Sequence, residues 1–140
     1  MNGNQLTDGA QTAILYVSFA KAGEGWRLNI QIYGKAKCFD TKKAERYFKE
    51  RKIKFQSIDI LRYGLSRGER ESVQRSVGGL DVLLDEKSRA YEEQFIAYLA
   101  SRDAIAEKLE EHPALYKTPI VRNGKQATVG YCPEIWQSWE

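Results

Sequence analysis

The chain has 140 residues, 42% apolar and 29% charged, with a net charge of +3. That is the length of one domain and enough to bury a core without disulfide staples. Its Lys and Arg are scattered among Glu and Asp, so the charge calls for neither nucleic acid nor a membrane surface.

Residues 1–27 differ in character from the rest of the chain. "MNGNQLTDGAQT" is polar, and "AILYVSFA" is an apolar run far short of the roughly 20 residues that span a bilayer. No basic residue precedes Lys21, which argues against a secretory signal. This N-terminal extension reads as a disordered tail or as an added edge strand. A third reading is an over-long gene start, because Gly23-Glu24-Gly25 implies purine-rich codons shortly before Leu28. The domain proper is taken as residues 28–140.

Leu28, Ile30 and Ile32 alternate as in a strand. After Cys38, the residues Ala44, Tyr47 and Phe48 recur at helical spacing, and "KFQSIDI" (54–60) reads as a second strand. Strand, helix and strand in this order form a right-handed crossover with parallel strands. Ser66 and Glu69 make a capping box for a helix that stops at Gly78-Gly79. "LDVLL" (80–84) is a short apolar segment, and 88–100 and 101–113 read as helices, the second stopped by Pro113. Asn123-Gly124 marks a β-hairpin, and Pro133 opens a last helix. The expected fold class is α/β: a thioredoxin/glutaredoxin-like mixed four-stranded sheet with a helical insertion.

Two cysteines, Cys38 and Cys132, are too few for a secreted disulfide scaffold and fit a reducing cytoplasm. With the lone His112 they are too widely spaced to suggest a metal site. Cys38 stands where the first strand passes into a helix, the edge at which βα units carry function. Unpaired helix amides there favour a thiolate, and Lys35, Lys37, Lys42 and Lys43 add positive charge that Asp40 partly opposes. Thr41, one turn on, is a candidate hydrogen-bond donor to the sulfur, and Lys42 a candidate partner for its charge. An inert, buried Cys38 is the plainer alternative. If the hairpin's first strand runs antiparallel to the Cys38 strand, Thr118-Pro119 and Gly130-Tyr131-Cys132 reach the same rim. Cys132 then reads either as a resolving thiol or as a residue packed beneath the last helix.

"IYG…KCFDTKKAERYFKERKIKF", "GGLDVLL", "HPALYKTPIVRNGK" and "TVGYCPEIW" resemble the arsenate-reductase-related (ArsC/Spx/YffB-like) family of thioredoxin-fold proteins, over about residues 29–139. The resemblance implies a cis Pro119, Cys38 as the redox cysteine and a link to glutathione or another small thiol. No bound cofactor is implied. Lys37, Thr118, Pro119 and Tyr131 are the candidate residues for binding a thiol substrate, with Pro119 presenting the backbone edge on which it lies. Where the family's arsenate reductases hold the oxyanion with arginines, this chain has Asp85, Thr118 and Tyr131. Arg89 and Arg122 are the nearest substitutes in sequence. A carboxylate repels an oxyanion, so arsenate reduction is not expected. The Spx branch docks on RNA polymerase and switches through a Cys-x-x-Cys pair, whereas Cys38-Phe39-Asp40-Thr41 lacks the second thiol. Two functions are therefore carried forward. One is a single-cysteine thiol-disulfide reductase acting on a small-thiol or protein disulfide. The other is a non-enzymatic regulator docking on RNA polymerase or another partner.

Overall fold

The computed structural model describes residues 28–139 and, by backbone alone, residues 14–17. The readings made on 1–13 and 18–27, and Glu140, lie outside the described residues. The elements are β1 (Ile14–Val17), β2 (Ile30–Gly34), α1 (Phe39–Glu50), β3 (Phe55–Asp59), α2 (Ile60–Tyr63), α3 (Arg67–Val77), α4 (Arg89–Glu93), α5 (Arg102–Glu111), β4 (Ile120–Asn123), β5 (Gln126–Val129) and α6 (Pro133–Trp139). Short 3-10 turns lie at Leu80–Leu83, Ile96–Tyr98 and Pro113–Leu115.

The alternation read in the first strand sends its two faces into two cores. Ile30 and Ile32 face α1 and α6, packing with Phe48, Phe55, Val121 and Trp136. Tyr33, on the other face, joins Val73, Leu83, Leu109, Tyr116 and Ile120 beneath α3, α5 and the turns between them. β2 and β3 are parallel, as the crossover through α1 requires, with Ile32 opposite Ser57. β4 runs antiparallel to β2, with Ile32 opposite Val121, and β5 returns beside β4. Gly124 in the connecting turn has a φ of 62°, a left-handed conformation glycine adopts without a Cβ clash. The order β3-β2-β4-β5 is the expected mixed four-stranded sheet, and β1 pairs antiparallel with β3 to make a fifth strand.

Between β3 and β4 the helical insertion departs from its expected segmentation. Residues 88–100 are not one helix: α4 ends at Glu93, Phe95 takes a φ of 53°, and a 3-10 turn comes next. Ile96 is buried and Leu99 packs against the same core while Phe95 and Tyr98 are exposed, so the break turns aliphatic side chains inward and leaves the aromatics outside. The segment 54–60 ends as a strand at Asp59, whose carboxylate accepts the Leu61 N–H and starts α2. The Ser66–Glu69 capping box is present, and α3 stops at Gly78 in the left-handed region. Among the described residues no helix is long and apolar enough to cross a membrane.

Glu69 has a second task beyond its cap. Its other oxygen accepts the Tyr33 hydroxyl at 3.0 Å and lies 3.6 Å from the Arg122 guanidinium. Arg122 also donates to the Gln31 side-chain oxygen and to the Tyr33 oxygen. Burial raises the Tyr33 pKa to about 12, against the donation from Arg122. A tyrosine whose folded pKa is raised contributes stability that is complete below its unfolded value and is lost as pH rises through the folded one. Stability measured by denaturant should therefore fall between about pH 10 and about 12. Tyr33→Phe should cost about 1–2 kcal/mol at neutral pH and should remove part of that alkaline fall. Tyr116, whose pKa burial also raises, accounts for another part. An unchanged alkaline profile in Tyr33→Phe would contradict this.

Candidate functional site

The candidate site forms where β2 hands over to α1. Gly34 ends the strand, and the Cys38 N–H donates to the Lys35 carbonyl at 3.1 Å, turning the chain. Cys38 is the N-cap of α1, with φ −88° and ψ 117°, and its side chain makes no capping bond. The first amides of the helix thus stay available to the sulfur. The Cys38 thiol donates to the Thr118 carbonyl at 3.6 Å. Thr118-Pro119 is a cis peptide, and the Pro119 carbonyl accepts the Gly130 N–H at 2.8 Å. The antiparallel β4 and its hairpin therefore bring Thr118, Pro119 and the Gly130–Cys132 turn to the Cys38 rim.

Partial burial of Cys38 works against ionisation. It is outweighed by the hydroxyls of Thr118 and Thr41 and by the backbone amides of Thr41 and Asp40, so the thiol titrates below the ordinary 9.0. The two Thr118 groups favour different states: the carbonyl accepts from the thiol, while the hydroxyl donates far more strongly to the thiolate than to the weakly accepting thiol. Thr41 behaves similarly. It is 6% exposed, and its Oγ1 has no hydrogen-bond partner as the side chains stand. A buried hydroxyl without a partner is costly, and an ionised sulfur would supply the acceptor. Gly34 makes room for it, since a Cβ there would fall 2.2 Å from Thr41 Cγ2 and 2.7 Å from its Oγ1. Sequence reasoning missed Gly34, although a glycine closing a strand is a signal of close approach.

The remaining expected residues fall into two groups. Lys37 and Lys42 are exposed; the groups favouring the thiolate are hydroxyls and amides, not ammonium charges. The Lys35 ammonium donates to the Ala114 carbonyl at 3.0 Å. Tyr131 is exposed, and its ring meets Trp136 edge-on at 5.5 Å. Cys132 is half-buried and its thiol donates to the Val129 carbonyl at 3.5 Å; burial, then the Glu134 charge, pushes its pKa up. Both cysteines are free thiols.

Asp85 donates its N–H to the Leu115 carbonyl at 2.8 Å, at the end of the Pro113–Leu115 3-10 turn that precedes Thr118. Arg122 is engaged with Glu69, Tyr33 and Gln31 and does not serve as a substitute cation at the rim. Arg89 opens α4 and is exposed. Sequence reasoning also passed over Phe39, directly after Cys38, which is 79% exposed. Its signal was an aromatic at the first position of a helix whose apolar stripe begins later.

The chain is 32% identical over 106 residues to "Global transcriptional regulator Spx 2" of Oceanobacillus iheyensis, covering 74% of this chain and 78% of that protein. Among solved structures it is similar to an arsenate reductase from Vibrio cholerae, with a TM-score of 0.72 and 25% identity, over 81% of this chain and 98% of that one. A putative ArsC family related protein from Bacteroides fragilis shares the fold, with a TM-score of 0.71 and 19% identity, over 80% of this chain and 98% of that one. The model of the ArsC family matches residues 33–139, which takes in the end of β2, Cys38, the insertion, the cis proline and α6. With regulators and reductases both among its relatives, this thioredoxin-fold chain belongs to the ArsC family.

Proposed function

We propose that the protein is a single-cysteine thiol-disulfide reductase with Cys38 as its nucleophile. The observation that carries the reading is the Cys38 sulfur at the start of α1, 3.6 Å from the Thr118 carbonyl, with the buried, partnerless Thr41 hydroxyl in the first turn of the same helix. The thiolate attacks one sulfur of a disulfide, the S–S bond breaks, and the electron pair leaves with the other sulfur as a thiolate. This forms a mixed disulfide on Cys38. A small cellular thiol of the glutathione kind, as thiolate, then attacks the substrate sulfur of that mixed disulfide. Cys38 leaves as thiolate, and the substrate sulfur stays paired with the small thiol. A second small thiolate attacks the small-thiol sulfur of that pair, so the substrate leaves as thiolate and the two small thiols as their disulfide. The raised pKa and carbonyl contact of Cys132 make it the slower route to the same release. Arsenate is disfavoured as substrate by the Asp85 carboxylate and by the engagement of Arg122 elsewhere.

The test is the pH dependence of Cys38 alkylation. The wild type should show a midpoint below the ordinary 9.0, and Thr41→Val, which removes one donor to the thiolate, should move that midpoint upward. A wild-type midpoint at or above the ordinary value would overturn the reading.

A second reading rests on the 32% identity to a global transcriptional regulator. On that reading the chain docks on RNA polymerase or another partner without catalysis, and Cys38→Ser leaves partner binding intact.

A further inference from the structure

The β2–β4 ladder ends at the pair Tyr33–Ile120, and beyond it the two sides of the site are held from different directions. Cys38 belongs to the turn into α1, which its own N–H closes on the Lys35 carbonyl. Thr118 follows a segment pinned to the insertion. There the Lys117 N–H donates to the Leu83 carbonyl and the Asp85 N–H to the Leu115 carbonyl, each at 2.8 Å. Among the described residues, two hydrogen bonds cross from residues 35–38 to residues 112–118. One runs from the Cys38 thiol to the Thr118 carbonyl at 3.6 Å, the other from the Lys35 ammonium to the Ala114 carbonyl at 3.0 Å.

The two respond in opposite ways when the sulfur ionises. The thiol proton is the donor of the first, so that bond is lost with the proton, and a carbonyl oxygen then faces an anion. The second has its donor on Lys35 and survives. Its donor is charged, which puts it in the stronger class of hydrogen bond. Without it, the Thr118 segment is free to draw back from the charged sulfur and to take its hydroxyl out of reach.

We infer that Lys35 is a positioning residue for the reaction of Cys38: its ammonium, through the Ala114 carbonyl, keeps the Thr118 hydroxyl against the sulfur while the sulfur is charged. The inference rests on Cys38 being the exchange nucleophile. By sequence Lys35 stands with Lys37 and Lys42 as one more charge near the thiol. The structure separates them. Lys37, Lys42 and Lys117 are exposed, and Asp40 pairs with Lys43 at 4.0 Å. Lys35 is half-buried and bonded to a carbonyl 79 residues away. Against the burial of the sulfur, the Thr118 hydroxyl is the largest of the groups that favour its ionised form, so whatever holds Thr118 in place acts on the nucleophile.

The experiment measures the pH dependence of alkylation at Cys38, located by peptide mass, in wild type, Lys35→Met, Thr118→Val and the double variant. Lys35→Met keeps the aliphatic stem and loses the donor. Its midpoint should rise by about half a pH unit, about threefold less thiolate well below the midpoint. Lys35→Gln, polar but one bond shorter, should do the same and guards against a Met variant that fails to fold; thermal melting checks each. The rise should be equal at 0.1 M and 1 M NaCl, because salt screens a charge acting through solvent but not a tether. In the Thr118→Val background, Lys35→Met should add nothing, since its effect runs through the missing hydroxyl. A rise that salt erases, or one that adds in full to that of Thr118→Val, overturns the inference and makes Lys35 a free charge. A wild-type midpoint below the ordinary 9.0 that neither Lys35 variant moves also overturns it, and leaves the reductase reading standing. A wild-type midpoint at or above 9.0 overturns both.

Discussion

A Cys38→Ser variant is expected to lose disulfide exchange down to the uncatalysed background, while Cys132→Ser keeps it within the same order of magnitude. The asymmetry follows from what surrounds each sulfur. Cys38 meets two threonine hydroxyls and two helix amides that outweigh its burial, whereas burial and Glu134 push Cys132 the other way. Only the thiolate attacks a disulfide, and a serine hydroxyl in the same place is not ionised at neutral pH. The linkage has the matching sign. A thiol titrating below its unfolded value contributes stability at alkaline pH that disappears as pH falls through the folded pKa. The measurement is the rate of reduction of hydroxyethyl disulfide with glutathione as reductant, with intact mass locating the adduct. Equal loss in the two variants would make Cys132 a required resolving thiol. Undiminished exchange by Cys38→Ser would remove the nucleophile from the proposal.

The difference between the two cysteines was half visible in the sequence. Position was legible: the strand's alternation, the helix after it and the Asn123-Gly124 hairpin together carry Cys38, Thr118 and Tyr131 to one rim. Those signals are local, because periodicity and turn chemistry are read within a few residues. What stabilises the thiolate was less legible. The helix amides and Thr41 were named, but charge counting also favoured the lysines; Lys37 and Lys42 are exposed, and the threonine hydroxyls and helix amides beside the sulfur carry the effect. Thr118 does so across 80 residues of chain, and no pattern within one segment reports such a contact.

Gly34 belongs with Thr41 in the same way: its missing Cβ sets where the threonine lies. One segment of the insertion was misread for a related reason. Residues 88–100 have helical composition, but burying Ile96 required breaking the helix at Phe95, and only the core above Tyr33 dictates that. Asp59 was readable as a cap in hindsight, since a four-residue helix and Gly64 come directly after it.

The second large effect concerns Trp136, which ties the last helix to the rim. It is fully buried, its indole N–H donates to the Thr128 hydroxyl at 2.8 Å, and its ring meets those of Tyr47 and Phe48 at 5.2 Å each. Trp136→Ala empties the centre of one core and leaves a buried hydroxyl without its donor. Its expected cost is about 3–5 kcal/mol, a fall of roughly 10 °C or more in melting temperature for a chain of this size. Trp136→Phe keeps most of the volume and loses mainly the hydrogen bond, about 1–2 kcal/mol. The two variants should also separate the cysteines. The Trp136 backbone N–H donates to the Cys132 carbonyl, and the indole supports Tyr131. Loosening α6 should therefore speed alkylation of Cys132 under native conditions more than that of Cys38, whose partners lie on α1 and at Thr118. Denaturant unfolding with residue-resolved alkylation tests both parts. A loss below about 1 kcal/mol in Trp136→Ala would mean that the α6 core closes over the cavity. Equal acceleration at both thiols would mean that the two sulfurs share one cooperative unit, and their separate environments would no longer explain their separate chemistry.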